Sequence, residues 1–517
     1  MFEPYAPEPY SDFSDPVAGA AFEAAVAAVQ ARLGEPAGPV VAGEPVATDS
    51  TIESRDPAMP SRVVGVVATA DGELAGRALD AAWDAFRGWS ALTALERARH
   101  GVLLAELMRR DKYELAALQC FEAGKNWAEA EADVCEALDF AAYYAREAVR
   151  LAEPVRVTHF RGEENESHLI PIGAGVVIPP WNFPLAILTG MTLGPVMAGN
   201  TVVLKPASTT PMIGAAFMRL VEEAGFPPGV INFLPGPGGE IGDVLVDDPR
   251  TRFINFTGSK EVGLRIAERS ARVAPGQVWL KRAYMEMGGK DALIVDETAD
   301  VDAAAADAVR SAYGFQGQKC SACSRLILVS EIHDAVLERV VERAGALEVG
   351  PPSENHPVGP VISAAQHAMI LSEIEAGRGE AELAAGGAAI DRDGGYYIEP
   401  TVFTGVQPDA RLAQHEIFGP VLSVIEARDF DHALEIANAT EYGLTGGLYS
   451  RDRSRIERAR AEFHVGNLYI NRKITGALVG VQPFGGFKMS GSNAKAGGPD
   501  YLRLFMEMKT VAERWIT

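Results

Sequence analysis

Cysteine is scarce, with four among 517 residues, too few for a disulfide scaffold in a chain of this size. Positive charge is also short. Lysine and arginine number 47 against 70 aspartates and glutamates, a net charge of −23, so nucleic acid and anionic membrane surfaces would be repelled and are not expected as partners. No basic residue precedes Arg32, and the early positive charge of a signal or transit peptide is therefore missing. The most apolar long stretch, 173–193, is broken by Pro179, Pro180, Asn182 and Pro184, which spoils it as a membrane span. These absences together predict a cytoplasmic protein. No Walker A pattern occurs, and the nearest approach to G-x-G-x-x-G, Gly236 to Gly242, has one extra residue before its last glycine, so phosphate-loop chemistry has little support.

What is present is ordinary globular material, 47% hydrophobic and 23% charged, enough for two to four domains. A first helix is expected over 15–33, with Asp15 as its N-cap and Pro16 in its first turn. A Gly/Pro stretch with alternating valines follows to Thr69. A long helical region is expected over 74–151, punctuated by Gly76, Gly88, Gly101 and Gly124. Alternation over 155–170, with the polar run Glu163 to Glu166, suggests a hairpin with a charged tip. From Gly173 short β-rich runs alternate with helical ones: 175–178, 201–204, 231–234 and 253–256 are each followed by a helical run. The pattern recurs more loosely after Met287. That alternation predicts α/β architecture with two doubly wound parallel-sheet domains.

Gly317-Gln-Lys-Cys-Ser-Ala-Cys-Ser324 is the sharpest segment. Cys320 follows cationic Lys319 in small, polar surroundings, which would favour a nucleophilic thiolate. With Cys323 it also forms C-x-x-C, open to a redox-pair reading or half a zinc site, although Cys120 and Cys135 are too far apart to supply a second C-x-x-C. Glu286, between two methionines and before two glycines, suits a general base with a raised pKa, or else a solvated acid at a strand end. Asn182, in Pro179-Pro-Trp-Asn-Phe-Pro184, can offer an uncharged N–H to an oxyanion or satisfy its own turn. Phe256-Thr-Gly-Ser259 runs from a strand into a helix whose N-terminus is either a pyrophosphate seat or an ordinary cap.

Taken together and in this order, these segments resemble the aldehyde dehydrogenase superfamily from about Gly65 to Thr510. The motifs are Pro180-Trp-Asn-Phe-Pro184, Lys205-Pro-Ala, Phe256-Thr-Gly-Ser259, Glu286-Met-Gly-Gly-Lys290, Gly317-Gln-Lys-Cys320, Glu416-Ile-Phe-Gly-Pro420 and Pro483-Phe-Gly-Gly-Phe-Lys488. The resemblance implies a catalytic set of Cys320 as nucleophile, Asn182 in the oxyanion hole and Glu286 as the base that activates water, with no metal. It implies NAD as cofactor: Lys205 and Glu416 on ribose hydroxyls, Phe418 near the nicotinamide, and Ser259 with Gly258 at the pyrophosphate. Pro180, Trp181, Gly238 and Gly288 complete that surface. Ser208 stands where many NAD-specific members carry an acid, which makes NADP tolerance plausible. The implied domains are a cofactor domain (1–152 and 172–286), a catalytic domain (287–482) and a β-flap (153–171 and 496–517) for homo-oligomerisation, as a dimer or a dimer-based hexamer.

Within the superfamily, Gly314-Phe-Gln-Gly-Gln-Lys-Cys-Ser321, Asn471-Arg-Lys-Ile-Thr-Gly-Ala-Leu478 and the run from Ser490 to Tyr501 look like the branch that oxidises L-glutamate γ-semialdehyde. That likeness would make Ser321, Gly476 and Ala477 the anchor for the substrate's α-carboxylate and α-amine. Lys319 would add positive charge, Phe183 and Phe484 would line the aliphatic tunnel, and Glu136 would face Phe183 or the amine end.

Overall fold

The computed structural model describes residues 4–155 and 157–515. Residues 1–3, 156 and 516–517, which fall in the predicted spans 1–152, 153–171 and 496–517, lie outside the described residues. The first helix, Pro16–Gln30, starts as expected, with the Asp15 carboxylate accepting from Val17 N, but ends short of Leu33.

Four helices fill the long helical region: Gly72–Ala91, Ala94–Arg110, Lys112–Glu122 and Trp127–Leu151. The expected glycine punctuation fails at three of four places. Gly76, Gly88 and Gly101 lie inside helices, since one glycine costs only about 1 kcal/mol there and the packed face of each helix outweighs it; Gly88 faces open space, while at Gly101 an added Cβ would come within 2.9 Å of Met197 Sδ. The real breaks are a capping box at Thr93 and Glu96 and a shared cap at Asp111. Gly124 alone behaves as expected, taking φ +74° before Asn126 caps the next helix.

Two seven-stranded sheets organise the rest. In the first, the spatial order is Arg282–Glu286, Phe253–Thr257, Ala174–Ile178, Thr201–Leu204 and Ile231–Phe233, all parallel, with two short antiparallel strands from 40–45 at the far edge. The chain starts at Ala174–Ile178, winds outward one way, then returns to the other side through Phe253–Thr257. The carboxyl ends of these two strands therefore flank a topological switch point, where open α/β sheets bind ligands. In the second sheet, Asp291–Val295 is flanked by Cys323–Val329 and Thr445–Tyr449. Glu382–Ala385 is its one antiparallel strand.

The segment 155–170 is not a hairpin. Its strand, Glu163–Pro171, pairs antiparallel over nine residues with Met506–Arg514 from the chain's far end, and only an isolated bridge, Val155 to Ser167, joins the two halves of the expected hairpin. Local alternation marked the strand correctly but could not reveal a partner so far along the chain. Buried Asn200 ties this ribbon to the core: its Oδ1 accepts from Ile172 N and Gly173 N, and its Nδ2 donates to Pro195 O and Phe505 O. Among the described residues no helix is long and apolar enough to cross a membrane.

Candidate active site

The edge strand of the first sheet ends at Glu286, and the second sheet begins five residues later at Asp291. The link Met287-Gly-Gly-Lys290 passes close to Glu416: an added Cβ at Gly288 would fall 1.9 Å from its Oε2, and Gly289 N donates to its Oε1 at 3.0 Å. Only glycine permits that approach. Cys320 lies between the turn Gly314–Gly317 and the strand Cys323–Val329. Phe315, Gln316 and Gly317 all take positive φ, of 49°, 56° and 69°. Left-handed backbone at two non-glycine residues costs on the order of 1–3 kcal/mol each and persists only where the surroundings hold it. Here Gln316 Nε2 donates to Gly124 O at 2.9 Å and Pro360 O at 2.8 Å, while a Cβ at Gly317 would be 2.2 Å from Gly419 O.

Cys320 and Glu286 open on one cavity of about 330 Å³. Phe183, Phe484, Glu136, Lys319, Ser321, Gly476 and Ala477, the seven residues expected around a substrate, all line it. The N-terminal arm supplies Tyr10 and Ser11 to the same wall, anchored by Ser11 N on Glu131 and by Tyr5 OH on Val479 O. Neither arm residue has a signal in the sequence, because the contact spans more than a hundred residues. Lys473 also lines the cavity; its signal was a cation three residues before Gly476.

Burial pushes the Glu286 carboxyl up to about 8, against the backbone N–H groups of Gly486 and Ala494, which donate to it at 3.0 and 3.1 Å. That is the raised basicity expected of a general base working near neutrality. The reading of Cys320 needs correction. Lys319 does not serve the thiol, because its ammonium is paired with Glu129 at 2.6 Å. Burial, followed by the carboxylates Asp291, Glu416, Glu286 and Glu136, raises the Cys320 thiol well above its usual value. Asn182 is buried and its Nδ2 donates to Gln318 O at 3.0 Å, which aims the side chain at the loop carrying Cys320. A second amide hydrogen remains for an oxyanion. Cys323 is buried on its strand, with Sγ against Arg325 O. All four cysteines are free thiols, and the described residues hold no cluster of metal-ligating groups.

The expected cofactor residues gather at the switch point. Pro180 and Trp181 follow the strand Ala174–Ile178, and Ser259 follows Phe253–Thr257, capping the helix Lys260–Ser270 with its Oγ accepting from Val262 N. Gly258 sits between them, its Cβ position occupied by the Phe256 ring. Phe418, at φ +56°, meets the Trp181 ring edge-on at 5.5 Å. Buried Lys205 donates to Pro206 O and is pulled down to about 8 by burial. Ser208 donates to Gly236 O at 3.0 Å. Gly238 opens the wide turn Gly238–Gly242, 3.9 Å from Lys205 Cε if given a Cβ. Burial lifts Glu416 to about 7.

The model of the aldehyde dehydrogenase family matches residues 45–511. A 1-pyrroline-5-carboxylate dehydrogenase of Geobacillus kaustophilus is 53% identical over 514 residues, 99% of this chain and 100% of that protein. One from Bacillus subtilis is 49% identical over 510 residues, 98% and 99% of the two chains. A crystal structure of 1-pyrroline-5-carboxylate dehydrogenase from Thermus with bound NAD superposes with a TM-score of 0.99 at 57% identity, covering all of both chains.

Proposed function

This chain belongs to the aldehyde dehydrogenase family, and from that membership we propose that it oxidises L-glutamate γ-semialdehyde, the open form of 1-pyrroline-5-carboxylate, to L-glutamate, the second step of proline catabolism. The observation that carries the reading is the shared cavity: Cys320, Glu286 and a polar pocket around Ser321, Gly476 and Ala477 line one space. The full-length relatives named for this activity support the same substrate.

The cofactor is NAD, and the residues at the switch point suit it. Lys205 keeps donors beyond its bond to Pro206 O, Glu416 keeps Oε2 beside Gly288, and the Lys260–Ser270 helix turns its amino end toward the crevice. Such a helix end favours the pyrophosphate. NAD, when bound, supplies the acceptor for the hydride. Ser208 carries no charge to repel a 2′-phosphate, so slower use of NADP is expected.

The chain's own groups do the rest. Cys320 gives its proton to a water of the cavity as its sulfur bonds to the aldehyde carbon, and the thiohemiacetal oxyanion that forms is met by Asn182 Nδ2 and the Cys320 backbone N–H. Oxidation of that carbon leaves a thioester on Cys320. Glu286 takes a proton from water, whose oxygen attacks the thioester carbon; the carboxylic acid departs and Cys320 is released. Phe183 and Phe484 flank the aliphatic part of the substrate, and Glu136, lifted to about 8 by burial and Asp133, faces its amine end.

Residues 1–152 with 172–286 form the cofactor domain, 287–482 the catalytic domain, and the ribbon of 153–171 with 496–517 a flap for homo-oligomerisation in the cytoplasm. The flap suits pairing, because Met508, Val511 and Trp515 are 51%, 44% and 61% exposed on a ribbon with open edges. The test is NADH formation from pyrroline-5-carboxylate compared with succinate semialdehyde. A kcat/KM about a hundredfold higher for the first is expected, since succinate semialdehyde lacks the α-amine and is one carbon shorter, so its carboxylate falls short of the polar groups of the site. Equal or reversed preference would remove the substrate assignment and keep the family.

A further inference from the structure

The charges around the cavity sort themselves by partner. Lys319 is held by Glu129 at 2.6 Å, Glu131 by Lys112 at 2.8 Å, and Glu286 by two backbone N–H groups. Two charged side chains of the lining have neither an ion-pair nor a hydrogen-bond partner among the described residues: Lys473 at the exposed rim, and half-buried Glu136. The Lys473 ammonium lies beside the turn at Gly476, where an added Cβ would be 3.5 Å from its Nζ. Gly476 itself is in the left-handed region, at φ +76°.

We propose that Lys473 is a specificity residue, its ammonium taking the α-carboxylate of the amino-acid aldehyde while Glu136 faces the α-ammonium. The inference rests on the substrate reading above and adds to it the source of charge recognition. A cavity with one unbonded ammonium and one unbonded carboxyl group offers partners to both ends of an amino-acid head group. Lys319 is bonded directly to Glu129 at 2.6 Å, whereas Lys473 feels the same carboxylate only through space and keeps its donors free. Backbone N–H groups at Gly476 and Ala477 can position a carboxylate, and a flexible ammonium at the rim can meet it without the fixed fork of an arginine.

The experiment measures KM and kcat for L-glutamate γ-semialdehyde and for propanal, which has no charged head, in wild type, Lys473→Gln and Lys473→Arg. Lys473→Gln is expected to raise KM for the semialdehyde about tenfold, equivalent to about 1.4 kcal/mol, with kcat within about twofold, the mark of binding shared by ground and transition states. Lys473→Arg should recover most of that loss. Propanal turnover should not change in either variant, which also reports that they fold. An unchanged KM in Lys473→Gln, or an equal rise with propanal, would overturn the role. If wild type turned over propanal but not the semialdehyde, the substrate reading would fall and this inference with it.

Discussion

Cys320 is surrounded by acids, with Asp291, Glu416, Glu286 and Glu136 all raising its thiol, and the one cation beside it in sequence is committed to Glu129. Burial first, and these acids after it, favour the protonated thiol, so the proton has to leave as the sulfur bonds to the substrate. Cys320→Ala should abolish NADH formation, whereas Cys323→Ala, which loses only a buried Sγ, should keep turnover within about threefold, as expected for a small core truncation. Loss of activity in Cys323→Ala would reopen the C-x-x-C pair. The pH profile follows from Glu286. As a base it works only when ionised, and its acidity lies near 8, so thioester hydrolysis should climb with pH through about 8 and level off above it; stopped-flow turnover across pH 6 to 10 would read this. A flat profile would contradict the role of Glu286. Short motifs picked out Cys320 and Glu286, which share one cavity, and Asn182, which bonds the loop carrying Cys320. The direction of the cysteine's acidity was not, because adjacency of Lys319 in sequence says nothing about which carboxylate folds against it.

Among the elements, the βα alternation after Gly173 was legible because each strand and helix carries its own period and turn residues. The first helix was readable from Asp15 and Pro16. The helical region 74–151 was readable as helical but not in its breaks, since Thr93 and Asp111 mark the helix ends and three of the glycines lie inside helices, where only Gly101 is closely packed. The flap exposes the other limit. Glu163–Pro171 has nine partners in Met506–Arg514, and nothing local encodes a pairing across more than three hundred residues. Thr510 lies mid-strand opposite Ser167, with the two hydroxyls 3.0 Å apart. Thr510→Pro puts a rigid ring in mid-strand and is expected to leave monomers in analytical ultracentrifugation where the unaltered chain sediments as an oligomer, with the folded core intact by circular dichroism. An unchanged sedimentation coefficient would remove the flap from the interface.

For the whole molecule, the two sheets face the same chemistry from opposite sides. The first delivers Glu286 at the carboxyl end of its edge strand and the switch-point crevice beside it, and the second delivers Cys320 ahead of the strand Cys323–Val329. The N-terminal arm adds Tyr10 and Ser11 to the wall of the cavity, which no sequence motif announced. In the mechanism proposed above, this cavity passes an amino-acid semialdehyde through a covalent bond to Cys320. The most direct test of that step is peptide mass spectrometry of Glu286→Gln, mixed with NAD and pyrroline-5-carboxylate and quenched in acid. With the hydrolytic base removed, a γ-glutamyl thioester should accumulate on the peptide bearing Cys320, and on Cys320 itself. No acyl adduct in a variant that still forms a burst of NADH, or an adduct carried by Cys323, would contradict the account.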